Sequence, residues 1–196
     1  MKRLPNILSI LRIILAPVFF YMYIQDELLW RSLSVAVFAT AAVTDFFDGY
    51  IARHYGAESS TGVFLDPLAD KFLTFAGFIC LPFLDPVQFP WWAVGLIVLR
   101  DISVTAFRVY ANKINAKIKT RYSAKLKTML QMIFLYIVLL AGVFIQADIL
   151  LSEIITAVFN SGIFGIGMII IVIITLYSGV EYFYINRQLF TSKKDQ

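Results

Sequence analysis

Two stretches of this chain, 128 to 147 and 154 to 180, contain no charged side chain. At 1.5 Å per residue a helix of that length crosses the roughly 30 Å hydrocarbon core of a bilayer. A mean hydropathy of +0.78 and 60% hydrophobic residues put the whole chain outside the range of soluble domains. Four shorter uncharged runs precede these two: 13 to 25, 32 to 44, 72 to 84 and 86 to 99. A run of about 13 residues covers only about 20 Å, so the missing third of each span has to carry charge.

Counting those charged thirds as helix predicts six membrane segments, roughly 6–25, 31–53, 63–84, 88–110, 125–146 and 157–185. The expected fold is an all-α integral membrane protein of six transmembrane helices, forming one domain over 1–196. Lys2, Arg3, Arg53, Lys113, Lys117, Lys119, Arg121, Arg187, Lys193 and Lys194 fall on one side of these segments. The opposite loops hold Arg31 alone among basic residues, so the positive-inside rule places both termini in the cytoplasm.

The charged third of each of the first four segments then lies toward the cytoplasm. It comprises Arg12, then Asp45, Asp48 and Arg53, then Asp66, Asp70 and Lys71, then Arg100, Asp101 and Arg108. Charges at that depth are costly against lipid, which predicts a polar cavity, open to the cytoplasm and formed mainly by helices 1–4. Segments five and six are expected to be mainly structural. Gly162, Gly165 and Gly167 in the sixth are read as close-packing positions, since no strand precedes them to make a nucleotide loop.

Other classes are excluded quickly. The basic, apolar N-terminus resembles a secretory signal, but Arg12 interrupts the apolar run and no small-residue cleavage site ends it, so the segment is expected to stay. One His and one Cys rule out a zinc cluster and an intrachain disulfide, and Cys80 reads as a small core residue. The net charge of +4 sits beside apolar spans, which points to anionic headgroups or phosphorylated substrates and away from nucleic acid. Trp91 and Trp92 read as interfacial belt residues.

The chemistry concentrates in DFFDGYIARHYGAESSTGVFLDPLAD, 45 to 70. Asp45 and Asp48 are three apart and Asp66 and Asp70 four apart, so on helices each pair projects from one face. Four adjacent carboxylates repel unless a cation joins them, and hard oxygen donors suit Mg²⁺ or Mn²⁺. Gly49, Ala52 and Gly62 leave room beside them for a ligand or a neighbouring helix. Three explanations compete. One is a buried network with Arg53, Lys71, Arg100 and Arg108, and another is an ion or proton pathway. The third is an enzyme acting on a lipid at headgroup level. A network kept only as scaffolding is expensive, and the outer halves of segments one to four offer a transporter no polar relay.

The spacing favours the enzyme. Asp45, two residues, Asp48-Gly49, two residues, Ala52-Arg53, eight residues, Gly62, three residues, Asp66, three residues, Asp70 resembles the complete signature of the CDP-alcohol phosphotransferase family. PNILSILRIILAP, LDPLADK, VTAFR at 104 to 108 and KLKTMLQ at 125 to 131 are similar to the same family, so the likeness covers about residues 5 to 131.

The resemblance implies six transmembrane helices, a homodimer, and transfer of the phosphatidyl group of CDP-diacylglycerol to an alcohol with release of CMP; a bacterial plasma membrane is the expected setting, since no organellar targeting segment is seen before the first span. It further implies Asp45, Asp48, Asp66 and Asp70 as ligands of Mg²⁺ or Mn²⁺, with Asp70 also the general base. Asn6, Gly49, Ala52, Arg53 and Gly62 join Asp45 and Asp48 around the CDP moiety. For Asn6 a helix-start role after Pro5 is an equal alternative.

Arg108, Lys125 and Lys127 open onto the same side and are expected to bind an acceptor phosphate, which favours glycerol 3-phosphate; ordinary membrane anchoring is the alternative for the two lysines. Arg100 pairs either with Asp101 or with a site carboxylate. Asp101 and Ala124 depart from the glycerol 3-phosphate branch, where Glu and Gly are common, and the Arg100-Asp101 pair keeps a phosphatidylglycerol acceptor as the runner-up.

Overall fold

The computed structural model describes residues 4–55, 62–114, 118, 122–147, 149 and 151–188, with the backbone alone along 4–9, 44–55, 62–70 and at 122. Among the described residues seven helices follow one another: α1 Leu4–Tyr23, α2 Leu28–Tyr55, α3 Gly62–Leu84, α4 Trp91–Lys113, α5 Tyr122–Gln146, α6 Ser152–Asn160 and α7 Ile163–Ile185. No strand occurs among the described residues. The first five helices match the expected segments to within a few residues at each end.

The sixth segment differs. Its predicted start at 157 falls inside α6, a separate nine-residue helix, and the chain turns at Ser161 and Gly162 before α7 begins. Gly162 has φ 79°, the left-handed conformation that costs a side-chain-bearing residue about 1–2 kcal/mol, and nothing lies within 4 Å of where its Cβ would be. It is therefore a turn glycine, not the close-packing position expected. Gly165 and Gly167 do pack closely, against Gln88 and the Phe134 ring. Apolar residues on both sides of the turn hid the break from hydropathy.

The helices group by contact. α1 packs on α2 and α3, α5 reaches α2, α3, α6 and α7, and α4 lies against α3 and α7. Phe19, Phe38, Phe78, Leu81, Ile97, Leu135, Leu139 and Met168 are fully buried between them. Tyr23 donates its hydroxyl to the Leu139 carbonyl at 3.1 Å, so even this buried phenol is satisfied.

Among the described residues two helices, with apolar stretches Ser123–Gln146 and Ile163–Ile185, are long and apolar enough to cross a membrane. On α7, Ile166, Ile173 and Val180 recur every seventh residue and are each at least 60% exposed. A stripe of that kind cannot face water at low cost and marks a lipid-facing side.

The end of the bundle that holds Tyr23, Leu84 and Gln146 is tied by its loops. Arg31 Nε donates to the Tyr23 carbonyl at 3.3 Å, and Gln146 donates to the Asp26 carbonyl. Gln88 bonds Asp85 at 2.9 Å, and the backbone N–H of Gly165 donates to the Gln88 amide oxygen at 3.3 Å. Partial burial pushes the Asp85 carboxyl up. The hydrogen bonds from Gln88 and Val87 outweigh it and hold the group below the usual carboxylate range.

Candidate active site

The signature motif occupies two consecutive helices. Asp45, Asp48, Gly49, Ala52 and Arg53 fall in the last turns of α2, and Gly62, Asp66 and Asp70 in the first turns of α3. Residues 45–48 and 66–70 are helical, so Asp45 and Asp48, and Asp66 and Asp70, occupy helix-period positions along the backbone. The side chains of Asn6, Asp45, Asp48, Gly49, Ala52, Arg53, Gly62, Asp66 and Asp70 lie outside the described residues. Among the described residues no group of three His, Cys, Asp or Glu side chains comes together.

What the described residues do show is a second knot of charge directly after this motif. Asp101 on α4 has a fully buried carboxylate. Its Oδ1 accepts from Arg100 Nη1 at 2.9 Å and from Lys127 Nζ of α5, and its Oδ2 faces Lys71 Nζ of α3 at 3.5 Å. Arg100 Nη2 continues to the Ser178 hydroxyl of α7 at 2.9 Å, and Ser178 in turn donates to the Thr175 carbonyl at 3.0 Å. Four helices thus meet on one carboxylate and its cations. Arg100 pairs with Asp101, one of its two expected partners.

The three acceptor candidates separate. Arg108 and Lys125 are exposed, whereas Lys127 is 1% exposed with its ammonium on Asp101. Lys125 and Lys127 are two apart on α5, and residues at that spacing point to different sides of a helix. Arg12, in the same end of α1, is buried. Segments five and six, expected to be mainly structural, bring Lys127, Ser178 and Glu181 into polar contacts, the last with the Ser123 hydroxyl. Arg100 reaches Ser178 because Gly179 leaves a gap: a Cβ there would meet the Arg100 stem at 3.0 Å.

A family model described as CDP-alcohol phosphatidyltransferase matches residues 2–177. The chain belongs to this family. Similar members include the CDP-diacylglycerol–glycerol-3-phosphate 3-phosphatidyltransferase of Rickettsia typhi, 37% identical over 142 residues that make up 72% of this chain and 79% of that one. A probable phosphatidylglycerophosphate synthase of Mycobacterium tuberculosis is 35% identical over 166 residues, 79% of this chain and 78% of its own. The CMP-forming cardiolipin synthase of Homo sapiens is 34% identical over 163 residues, 74% of this chain and 52% of its own. CDP-alcohol phosphatidyltransferases are integral membrane enzymes that use a divalent metal, in accord with the two membrane-length helices and the carboxylate-rich motif.

Proposed function

We propose that this CDP-alcohol phosphatidyltransferase transfers the phosphatidyl group of CDP-diacylglycerol to glycerol 3-phosphate, giving phosphatidylglycerophosphate and CMP. The observation that carries the reading is the similarity, at 35–37% identity over nearly three quarters of the chain or more, to enzymes named for that reaction. The complete aspartate signature on α2 and α3 supports it.

The donor set fits a divalent metal: four carboxylates, all hard oxygen donors, paired at helical spacing on two consecutive helices. Asp45, Asp48, Asp66 and Asp70 would hold Mg²⁺ or Mn²⁺. When bound, the metal supplies charge neutralisation for the pyrophosphate and its leaving group.

The chain's own residues do the rest. Arg53 contacts the nucleotide phosphates, and Gly49, Ala52 and Gly62 make room for the cytidine moiety, with Asn6 as a further polar contact. Arg108 and Lys125 receive the acceptor phosphate, and Lys127 adds positive charge that Asp101 shares. Asp70 takes the proton from the acceptor hydroxyl. That oxygen attacks the lipid-bearing β-phosphorus, the bond from that phosphorus to the bridging oxygen breaks, and CMP departs with the bond's electron pair.

The protein works as one transmembrane domain over 1–196, a homodimer in a bacterial plasma membrane with six membrane-crossing helices. Both termini and a polar cavity lined mainly by helices 1–4 face the cytoplasm. The positive-inside pattern supports this orientation.

The test is turnover by purified protein given labelled CDP-diacylglycerol and Mg²⁺ or Mn²⁺, with glycerol 3-phosphate, phosphatidylglycerol, serine or inositol supplied separately. CMP release with glycerol 3-phosphate alone is expected. The Arg100–Asp101 pair and the human cardiolipin synthase favour a second reading, with phosphatidylglycerol as acceptor, and turnover of that lipid instead would establish it. Cation or proton flux across proteoliposomes without CMP release would replace both with a transporter.

A further inference from the structure

Asp101 touches no reacting group in the reaction just described, yet three described cations converge on it. Its carboxylate is fully buried and meets Lys71 from α3, Arg100 from its own helix and Lys127 from α5. Three cations around a single buried carboxylate make a junction, because each of them is anchored to a different stretch of backbone and the carboxylate has only two oxygens to share. Buried charges of this kind cannot drift apart without leaving one of them uncompensated in low dielectric.

The position of Lys71 gives the junction its consequence. Lys71 follows Asp70 immediately, and α3 is continuous from Gly62 to Leu84. A helix moves as a unit over one turn, so a roll or slide that displaced the Lys71 Cα would displace the turn carrying Asp66 and Asp70 by a similar amount. A misplacement of about 1 Å at a reacting group is enough to cost about 100-fold in rate.

We propose that Asp101 is a positioning residue: by holding Lys71 against α4 and Lys127 of α5, it sets the register of the α3 turn that carries Asp66 and Asp70. Arg100, pinned by Ser178 and seated against Gly179, keeps the Asp101 carboxylate aimed at the two lysines and extends the brace to α7. The proposal rests on the reading of Asp70 as the general base.

The experiment uses the full chain in detergent with two readouts, steady-state kinetics and amide hydrogen exchange without substrate. Asp101→Asn is expected to lower kcat about 10-fold or more while the KM for CDP-diacylglycerol changes less than about 3-fold. It should speed exchange over residues 62–72 and leave exchange in α1 and α6 as in the parent. Asp101→Glu, which keeps the charge, should restore both. Parent-like kcat and exchange in Asp101→Asn would overturn the proposal. So would a uniform rise in exchange that Asp101→Glu fails to correct, because that marks a merely structural role.

Should Asp101→Asn not fold, Lys71→Gln decides: the same local exchange with the same fall in kcat supports the proposal, and parent values overturn it. A parent that turns over no acceptor, with exchange still rising locally in Asp101→Asn, sinks the transferase reading and leaves the brace. An active parent matched by Asp101→Asn sinks the brace alone.

Discussion

The two concentrations of charge in this protein are built in opposite ways. The signature stretch puts four carboxylates on neighbouring helix ends with Arg53 as the single Lys or Arg inside it, and such a set is incomplete without a cation from outside. Among the described residues the knot at Asp101 sets three cations, drawn from α3, α4 and α5, around one carboxylate. On the proposed reading the first group is finished by a ligand, while the second pairs cations with a carboxylate of the same chain. They meet at consecutive residues, Asp70 and Lys71.

That contrast can be broken by removing each completion in turn. The largest effect is expected from chelating the divalent metal: transfer should stop and return on adding Mg²⁺ or Mn²⁺. The thermal midpoint should move little, because the Asp101 knot needs no metal; a collapse of the fold on chelation would erase the distinction. Next comes Asp70→Asn, expected to lower kcat about 1,000-fold, within the range for loss of a general base, while CDP-diacylglycerol still binds. Near-parent turnover there would remove the general-base role.

Smaller effects probe the positive side. Arg108→Ala should raise the KM for glycerol 3-phosphate about 10-fold, as for loss of a charge-assisted contact, and change the KM for CDP-diacylglycerol much less. Equal changes in both would assign Arg108 to the nucleotide or the fold. Gly179→Ala is the mildest. Its methyl would press on the Arg100 stem at 3.0 Å, and a cost of about 1–2 kcal/mol in unfolding free energy is expected, as for modest overpacking. Unchanged stability would show that the guanidinium can shift without loosening the knot.

Much of this was legible in the chain because helix period and charge-free run length report on local structure. The α2 and α3 spans and the helical spacing of Asp45, Asp48, Asp66 and Asp70 follow from residues near one another in sequence. The turn at Gly162 was not, since Phe159, Ile163 and Phe164 are as apolar as any span and a left-handed glycine looks like a packing glycine on paper. Nor was the partner of Lys127. Its bond to Asp101 joins residues 26 apart on two helices, and only the shared packing of α4 and α5 on α3 and α7 decides it. The two-residue offset from Lys125 was available and does say that both lysines cannot share one face.

The tied end of the bundle has a consequence for traffic. Arg31 on the Tyr23 carbonyl, Gln146 on the Asp26 carbonyl and Gln88 between Asp85 and Gly165 fasten the loops of α1, α3 and α5 at the end away from the signature motif. If the proposed polar cavity opens at the motif's end alone, the soluble acceptor and the departing nucleotide would share one entrance, and the fastened end would serve as its floor.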